Sequence, residues 1–227
     1  MISHKHKCIF IHIPKTAGTS INEFFFPEVE FGISPPNYDI LFGWCPVRKI
    51  HMQHATARQM LETELITEEQ WNTYYKFTFV RNPWDRAYSD FMWIQNFSGV
   101  RGDFSSYIKK TNKFGKILTN NEGPHFLGDH LLQQTDFFDF KGVYKPDFIG
   151  RFENFDADIH FIINKLDIKE EFNLHKNKTL RYSHYSNFYT RSKKKLVNEY
   201  FQKDISLLGY KFENKRVGFK NNIKRFI

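Results

Sequence analysis

One arrangement, a strand followed by a loop and then a helix, occurs twice in this sequence and constrains its fold more than any other feature. Residues 8–13 form an apolar run, and a loop of small residues leads from it into a helix predicted from about Ser20. Residues 76–80 form a second apolar run, which Asn82 and Pro83 follow as the N-cap and first residue of another helix. Strands that alternate with helices indicate an α/β fold with a mainly parallel sheet.

The rest of the chain continues this alternation with less distinct boundaries. A third strand is predicted at residues 148–152, and further helices are predicted at residues 54–61, 67–75, 104–110, 154–166 and 192–207. Residues 27–47 contain four prolines, which indicates a long irregular segment with one short strand near residues 40–42. Long loops of this kind are more often functional than idle.

Length and charge limit what the chain can be. A chain of 227 residues and 27.3 kDa fits one domain, and we expect residues 1–227 to form it. The formal net charge of +8 and the pI of about 9.3 often accompany a polyanionic partner, such as nucleic acid, an anionic polysaccharide or a phosphorylated cofactor. Individual basic runs, such as residues 191–195, are typical of a solvated helix face.

Cysteine content and hydropathy point to a cytoplasmic protein. Cys8 and Cys45 lie in unlike contexts, and their spacing matches neither a disulfide framework nor a zinc site. The apolar stretch near the N-terminus, residues 8–14, is too short for the core of a signal sequence or for a membrane span. We therefore expect a soluble, cytoplasmic protein without stable membrane insertion.

The loop after the first strand carries the most chemical information. Its sequence is PKTAGTS, at residues 14–20, and it precedes a helix that begins at hydroxyl-bearing residues. Helix N-terminal N–H groups bind anions, so this loop is a candidate phosphate site with Lys15 as a mobile positive charge. In the nucleotide P-loop the lysine closes a glycine-rich loop, and the next hydroxyl binds magnesium. Here Lys15 opens the loop and Gly18 is its single glycine, which favours a site without metal over a kinase or GTPase.

A second candidate anion site follows the second strand. Arg81 lies at the end of this strand and Ser89 lies about two turns into the next helix, where a guanidinium and a hydroxyl can bind a second phosphate. Two structural alternatives remain open, because Arg81 can serve in an ion pair and Arg86 can pair with Asp90. The two strand–loop–helix units together are more specific than either one alone.

Together the two units resemble the sulfotransferases that depend on 3′-phosphoadenosine 5′-phosphosulfate (PAPS), in the branch of the carbohydrate sulfotransferases, the sulfotransferase family 2 type. The segments that carry the resemblance are HIPKTAGTS at residues 12–20 and VRNPWDRAYS at residues 80–89. Residues 53–58, 148–154 and 204–212 are similar to the same branch. The resemblance implies a P-loop-like, three-layer α/β fold in which helices flank a central, mainly parallel sheet.

The resemblance also implies a reaction and a set of cofactor-binding residues. The protein would transfer a sulfuryl group from PAPS to a hydroxyl of an acceptor, for which we expect a saccharide or glycan, and would release 3′,5′-ADP without a metal. The first loop would bind the 5′-phosphosulfate, through Lys15, Thr16, Ala17, Gly18, Thr19 and Ser20. The second motif would bind the 3′-phosphate through Arg81 and Ser89.

Two residues are candidates for the chemical step. Lys15 would stabilise the leaving group, because positive charge at the bridging oxygen favours the departure of 3′,5′-ADP. His54 is the preferred base, since similar carbohydrate sulfotransferases carry a histidine in a His-Ala motif just before a helix, and histidine titrates near neutral pH. His51 is the nearest rival, and His12 lies on the first strand.

Several other residues have less specific roles. The candidates to close over the nucleotide, by resemblance to the family, are Lys178, Arg181 and Tyr182. The aromatic residues that could stack on sugar faces, with core packing as the alternative for each, are Trp44, Trp93 and Tyr107. Glu153 is expected to begin the next helix rather than to orient the base.

Two alternatives belong to other classes of protein. A P-loop-like kinase would need an acidic magnesium ligand at a strand end, where the second strand presents Arg81 instead. A basic module that binds polyanions would fit the pI and the Tyr, Phe and Lys residues interleaved after residue 175. It would leave both anion loops unexplained, so we expect no nucleic-acid partner.

Overall fold

A computed structural model describes residues 1–32, 35–173 and 184–215 of the chain. The strands are β1 (Ile2–Ser3), β2 (Cys8–Ile11), β3 (Trp44–Cys45), β4 (Ile50–His51), β5 (Tyr75–Val80) and β6 (Phe148–Arg151). The α-helices are α1 (Gly18–Phe25), α2 (Ala57–Glu62), α3 (Glu68–Thr73), α4 (Pro83–Ser98), α5 (Phe104–Ile108), α6 (Asn112–Thr119), α7 (Phe155–Lys165), α8 (Arg191–Tyr200) and α9 (Gln202–Leu208). Short 3-10 helices lie at Met52–His54, Gly128–Leu131, Gln134–Asp136, Phe152–Asn154 and Tyr185–Asn187.

Four strands form one sheet in the order β1-β2-β5-β6. β2 pairs in parallel with β5, and β5 pairs in parallel with β6, so that Phe10 lies beside Phe77 and Phe77 beside Phe148. β1 adds an antiparallel strand at the edge next to β2. Parallel strands joined by helical crossovers are buried on both faces, which is why all four residues of β2 and the last four of β5 are buried. The predicted α/β fold with a mainly parallel sheet is confirmed.

Side chains of the sheet alternate between two buried clusters. Ile9 of β2 belongs to one cluster, together with Trp71 of α3. The next residue, Phe10, belongs to the other cluster, together with Ile21 of α1 and Ile159 of α7. Successive side chains of a strand point to opposite faces of a sheet, so helices cover this sheet on both faces. The predicted three-layer arrangement is confirmed.

A third apolar cluster packs α4 against α5, α6 and α8. Its members include Phe91 and Ile94 of α4, Tyr107 of α5, Phe114 of α6 and Val197 of α8, and each is at most 6% exposed. Side chains buried to this extent stabilise a helix by removing apolar surface from water. α4 is therefore held firmly on one side, while other residues of the same helix reach the candidate site.

Helix starts follow the capping residues in the sequence. The hydroxyl of Thr67 accepts a hydrogen bond from the Gln70 backbone N–H, and the Gln70 side-chain oxygen accepts one from the Thr67 backbone N–H. Thr56 and Gln59 form the same capping box at α2, and this box starts the predicted 54–61 helix at residue 57. The longest described helix, α4, has 16 residues, and none of the described helices has both the length and the apolar content of a membrane span.

Two local predictions were wrong for reasons of tertiary packing. The short strand expected near residues 40–42 is an isolated bridge between Asn37 and Phe42, and the true strands of this region are β3 and β4, which pair with each other. The helix expected at residues 192–207 is divided at Phe201, which is 1% exposed. Just beyond the break, the Asp204 carboxylate accepts hydrogen bonds from the backbone N–H groups of Gln134 and Thr135, which fixes the direction of α9.

The Arg86 side chain, only 2% exposed, ties α4 to two other segments. Its guanidinium donates to the carbonyl oxygens of Pro14 at 3.1 Å, Leu132 at 3.0 Å and His130 at 2.8 Å. A guanidinium is planar and its N–H groups have fixed directions, so these bonds fix the three carbonyls relative to one another. The loop after β2, the N-terminal half of α4 and the 3-10 helix at Gly128–Leu131 are thereby held together.

Replacement of Arg86 should therefore destabilise the fold. Arg86→Ala leaves three carbonyls without their charged donor, and hydrogen bonds to charged groups contribute about 1.5–3 kcal/mol each. We expect the free energy of unfolding, measured by urea denaturation, to fall by at least about 3 kcal/mol. Arg58→Ala is the matched control, because the Arg58–Glu62 pair is exposed and contributes below about 1 kcal/mol. An equal effect of the two substitutions would contradict the role given to Arg86.

Candidate active site

The loop between β2 and α1 has an unusual backbone conformation. Lys15 has a φ angle of 71° and Ala17 one of 78°, both in the left-handed region. Non-glycine residues in this region typically carry about 1–3 kcal/mol of strain each, and such strain collects at binding sites. Two arginines hold the loop, because Arg86 donates to the Pro14 carbonyl and Arg81 donates to the Lys15 carbonyl at 2.9 Å. These bonds offset the strain and keep the loop in one conformation.

Gly18 begins α1 and lies directly against the imidazole of His12. A Cβ atom at residue 18 would come within 1.8 Å of His12 Nε2, so no larger residue fits beside this ring. The N-cap residue, Ala17, provides no side-chain hydrogen bond to the first turn of α1, and the N-terminus of a helix favours a bound anion. The Thr16 hydroxyl donates to the Ile13 carbonyl at 2.7 Å and stabilises the turn. Of the two hydroxyl residues that follow, the first, Thr19, is exposed and the second is buried.

The second predicted motif meets the first through Arg81. Its Nε and Nη2 atoms donate to Asp85 Oδ2 at 2.8 and 2.7 Å, and its guanidinium lies 3.9 Å from the centre of the Phe152 ring. The ion pair considered for Arg81 is therefore present, and the same guanidinium also reaches the Lys15 carbonyl. Ser89, the other residue predicted to bind the 3′-phosphate, is 8% exposed on α4.

His54 forms a close pair with a carboxylate that is remote in sequence. Its Nδ1 lies 2.6 Å from Asp129 Oδ2, and the two side chains are 10% and 11% exposed. Burial lowers the pKa of His54 to about 4, against the opposing effect of Asp129. Burial would raise the pKa of the Asp129 carboxyl, but the nearby histidines hold it below its usual range. At neutral pH a neutral imidazole therefore donates from Nδ1 to an ionised carboxylate, and the lone pair of the ring is on Nε2.

Three further histidine rings surround His54. The centre of its ring lies 4.9 Å from that of His12, 5.1 Å from that of His130 and 6.3 Å from that of His51. Burial is the main reason why the pKa of His12 is well below its usual value, and neighbouring positive charges act in the same direction. The His12 ring also contacts Gly18, so it lies between His54 and the anion loop.

His51, the rival candidate base, is held in a fixed orientation. Its Nε2 lies 2.9 Å from the Phe126 carbonyl oxygen, which can only accept a hydrogen bond, so Nε2 carries the proton. Its Nδ1 is buried, and no described residue forms a hydrogen bond with it. The nitrogen of His51 that could accept a proton is thus enclosed by protein.

His130 belongs to a second pair of histidine and carboxylate. Its Nδ1 lies 2.6 Å from Asp90 Oδ1, and the Tyr107 hydroxyl donates to Asp90 Oδ2 at 2.6 Å. The His130 ring stacks on Trp93, with centres 4.7 Å apart and planes 6° apart. Lys15 Nζ lies 5.0 Å from the centre of the same Trp93 ring. Arg86 does not pair with Asp90 in the way the sequence allowed, because the Asp90 carboxylate serves these two partners.

The three aromatic candidates for sugar stacking have different environments. Trp44 is 7% exposed and packs on the edge of His51, and Tyr107 is fully buried, so both are core residues. Trp93 is half-buried and stacks at 4.5 Å on Phe97, whose side chain is 55% exposed. Sequence reasoning missed Phe97, although its position one helical turn after Trp93 is a signal for an aromatic pair on one helix face.

Sequence reasoning also missed the residues that orient the histidines. Asp129 and His130 lie in the part of the chain where the resemblance was loose, and Asp90 was considered only as a partner for an arginine. Glu153 has a structural role, because it accepts hydrogen bonds from the Asn82 backbone N–H at 2.6 Å and from the Tyr210 hydroxyl at 2.9 Å. The residues expected to close over the nucleotide lie outside the described part of the chain, namely Lys178, Arg181 and Tyr182.

Comparison with known proteins identifies this arrangement at the level of the family. The model of the sulfotransferase family matches residues 1–211. The chain belongs to the sulfotransferase family. Searches of curated proteins and of solved structures each return no match.

Membership in the family fixes the general chemistry of this sulfotransferase. The enzyme transfers a sulfuryl group from a sulfate donor to an acceptor that bears a hydroxyl group. The match includes both strand–loop–helix units and the segments that carry His54, Asp129 and His130. The donor, the acceptor and the roles of individual residues follow as proposals.

The fit between Gly18 and His12 predicts a sensitive position in the anion loop. Gly18→Ala would place a methyl group against the His12 ring and displace the first turn of α1. We expect the affinity for 3′,5′-ADP, measured by calorimetry, to fall at least about tenfold, which corresponds to about 1.4 kcal/mol.

Two further variants test whether the loss of affinity comes from the contact with His12. His12→Ala in the Gly18→Ala background removes the ring that the methyl group would strike, and should recover part of the affinity. Gly115→Ala is the control, because its new methyl group would lie 3.4 Å from the Lys110 carbonyl oxygen, an ordinary van der Waals distance. Wild-type affinity in the Gly18→Ala single variant would show that the loop does not bind the nucleotide.

Proposed function

We propose that this sulfotransferase takes PAPS as its donor and transfers the sulfuryl group to a hydroxyl of a saccharide. The observation that carries the proposal is the position of the His54–Asp129 pair beside the anion loop. The His54 ring, held neutral by burial, lies against the His12 ring, and the His12 ring lies against a loop that has a lysine and leads into the N-terminus of a helix. Sulfuryl transfer to a hydroxyl needs these two elements next to each other, a proton acceptor and a positively charged anion site.

The loop after β2 fits a phosphosulfate group. The absence of a Cβ at Gly18 lets the His12 ring pack against the first residue of α1, and N–H groups at a helix N-terminus favour a bound anion. When bound, PAPS supplies an activated sulfuryl group and leaves as 3′,5′-ADP. In this proposal, Lys15 gives positive charge to the bridging oxygen, and residues 16–20 hold the phosphosulfate. Arg81 shares its guanidinium between Asp85 and the 3′-phosphate, which Ser89 also binds.

His54 is the proposed base, and Asp129 is its positioning residue. Because Asp129 accepts the Nδ1 proton, the Nε2 lone pair can take the proton of the acceptor hydroxyl. The charge that develops on the imidazole is then balanced by the adjacent carboxylate, as in other histidine–carboxylate pairs. His51 is a weaker candidate, since its unprotonated nitrogen is buried.

Trp93 and Phe97 support a saccharide as the acceptor. Their rings stack with planes 13° apart and lead from Lys15 and His130 to the surface. Phe97 is 55% exposed, so its ring is open to a ligand that also reaches Trp93. A pyranose ring has an apolar face that can pack on such rings, while its hydroxyl groups stay available for hydrogen bonds.

The assay of this proposal follows radiolabelled sulfate from PAPS into a panel of oligosaccharides. We expect His54→Ala to lower kcat by about 10²- to 10⁴-fold, the contribution typical of a general base, without changing the affinity for 3′,5′-ADP. Asp129→Asn should approach the same loss, because its amide cannot hold the imidazole in the same tautomer. His51→Ala should have a much smaller effect, and a larger loss there than in His54→Ala would assign the base to His51.

Thermal stability with nucleotides tests the donor independently of the acceptor. The wild type should be stabilised by 3′,5′-ADP and not by ATP with magnesium, because bound ligands stabilise the folded state. The same comparison in Lys15→Ala should show a reduced shift. Selective stabilisation by ATP with magnesium would favour a kinase, and the absence of any nucleotide effect would favour a module that binds polyanions.

The stacked pair of aromatic rings predicts how the acceptor is recognised. Phe97→Ala should raise KM for a saccharide acceptor by about 2- to 10-fold with little change in kcat, since one aromatic contact contributes about 0.5–1.5 kcal/mol. Phe161→Ala is the matched control, because Phe161 is 52% exposed and stacks on Phe148 of the sheet instead. Sulfation of phenols with no sulfation of saccharides would overturn the acceptor class while leaving the donor intact.

A further inference from the structure

Side chains that could bind a metal ion lie together at the proposed base. His54, Asp129 and His130 each offer a ligand atom, and these atoms all lie within 4.8 Å of one another. Imidazole nitrogens with one carboxylate oxygen are ligands that suit zinc and similar transition ions rather than magnesium. Beyond the proton acceptor already described, the cluster thus has the composition of a metal site.

The surroundings of the cluster favour a metal ion. The His130 ring is oriented by Asp90, which the Tyr107 hydroxyl supports in turn, and a carboxylate behind a histidine is the usual outer shell of a zinc ligand. Two ionised carboxylates, Asp90 and Asp129, lie beside the histidines, and their negative charge favours the binding of a cation at the cluster.

The distances require movements of about 1.5 Å or less, because ligand atoms that lie within 4.8 Å of one another must come to about 3.3 Å on one ion. His54 Nδ1 and Asp129 Oδ2 are 2.6 Å apart, as suits a hydrogen bond. Two ligand atoms on one tetrahedral zinc ion, each about 2.0–2.2 Å from it, are separated by about 3.3 Å. A metal ion can therefore replace the shared proton if the two side chains separate by less than about 1 Å.

We propose that His54, Asp129 and His130 form an inhibitory site for Zn²⁺ or a similar divalent transition ion. The ion binds His54 through Nδ1 in place of the proton donated to Asp129. The neutral imidazole then carries its proton on Nε2, so the proton count of the ring is unchanged but its free lone pair is lost. The inhibition rests on the proposed function, in which Nε2 is the base, whereas the binding does not.

Cobalt absorption tests the binding without an activity assay. Chelator-treated wild-type protein titrated with Co²⁺ should develop the visible bands of a protein-bound ion, which Zn²⁺ abolishes and Mg²⁺ leaves unchanged. His130→Gln removes a ligand and should weaken binding by more than the roughly 10- to 100-fold typical of losing an outer-shell partner. His125→Gln is the control, because His125 is exposed and outside the cluster. If His130→Gln does not fold, as judged by circular dichroism, Asp129→Asn replaces it.

Activity assays then separate the two proposals. With PAPS and an acceptor, Zn²⁺ should inhibit the wild type at concentrations that follow the Co²⁺ competition, and a chelator should restore the rate. Cobalt bands that the ligand variants lose, in a protein that has no sulfotransferase activity even after chelator treatment, would support the metal site and overturn the proposed function. Sulfotransferase activity in a protein whose Co²⁺ affinity is the same in His130→Gln as in the wild type would overturn the metal site.

Discussion

The contacts of Arg86 are the constraint on which the rest of the site depends. The loop that follows β2 contains left-handed residues at Lys15 and Ala17, a conformation that an isolated loop would leave readily. Arg86 holds the carbonyl before this loop and two carbonyls around the 3-10 helix that carries Asp129 and His130. A single rigid guanidinium thus sets the distance between the anion loop and the carboxylate that orients His54. Its burial makes these bonds strong, because no solvent competes for them.

Burial has a second consequence for the histidines. An imidazole removed from water resists protonation, so His54 stays neutral even beside Asp129. The carboxylate then acts mainly on the position of the ring and on which nitrogen carries the proton. The same pairing recurs at His130 with Asp90, which keeps a second ring fixed against the first. The neutral imidazole of His54 therefore lies beside an ionised carboxylate, a combination that suits the proton transfer proposed for it.

The basic surface of the protein has a more ordinary explanation than its pI suggests. In the run at residues 191–195, Lys193 lies 3.6 Å from the centre of the Phe188 ring and Lys194 lies 4.5 Å from that of Phe212. Lys195 pairs with Glu199 across one turn of α8. These lysines cover aromatic rings and a helix face, as the sequence predicted for such runs. Net charge alone therefore says little about a polyanionic partner here.

The sequence by itself determined the layers of the fold, the capped helix starts and the two loops that resemble phosphate sites, because each depends on residues close together in the chain. It also placed a lysine at the start of the first loop. Only the tertiary structure decided that a side chain at residue 18 would strike the His12 ring, that Asp129 pairs with His54 and that Arg86 binds carbonyls rather than Asp90. It likewise decided that Trp93 stacks on His130, whereas Trp44 packs in the core. These contacts join residues that are remote in sequence, and their distances depend on how the helices pack on the sheet, which no local pattern records.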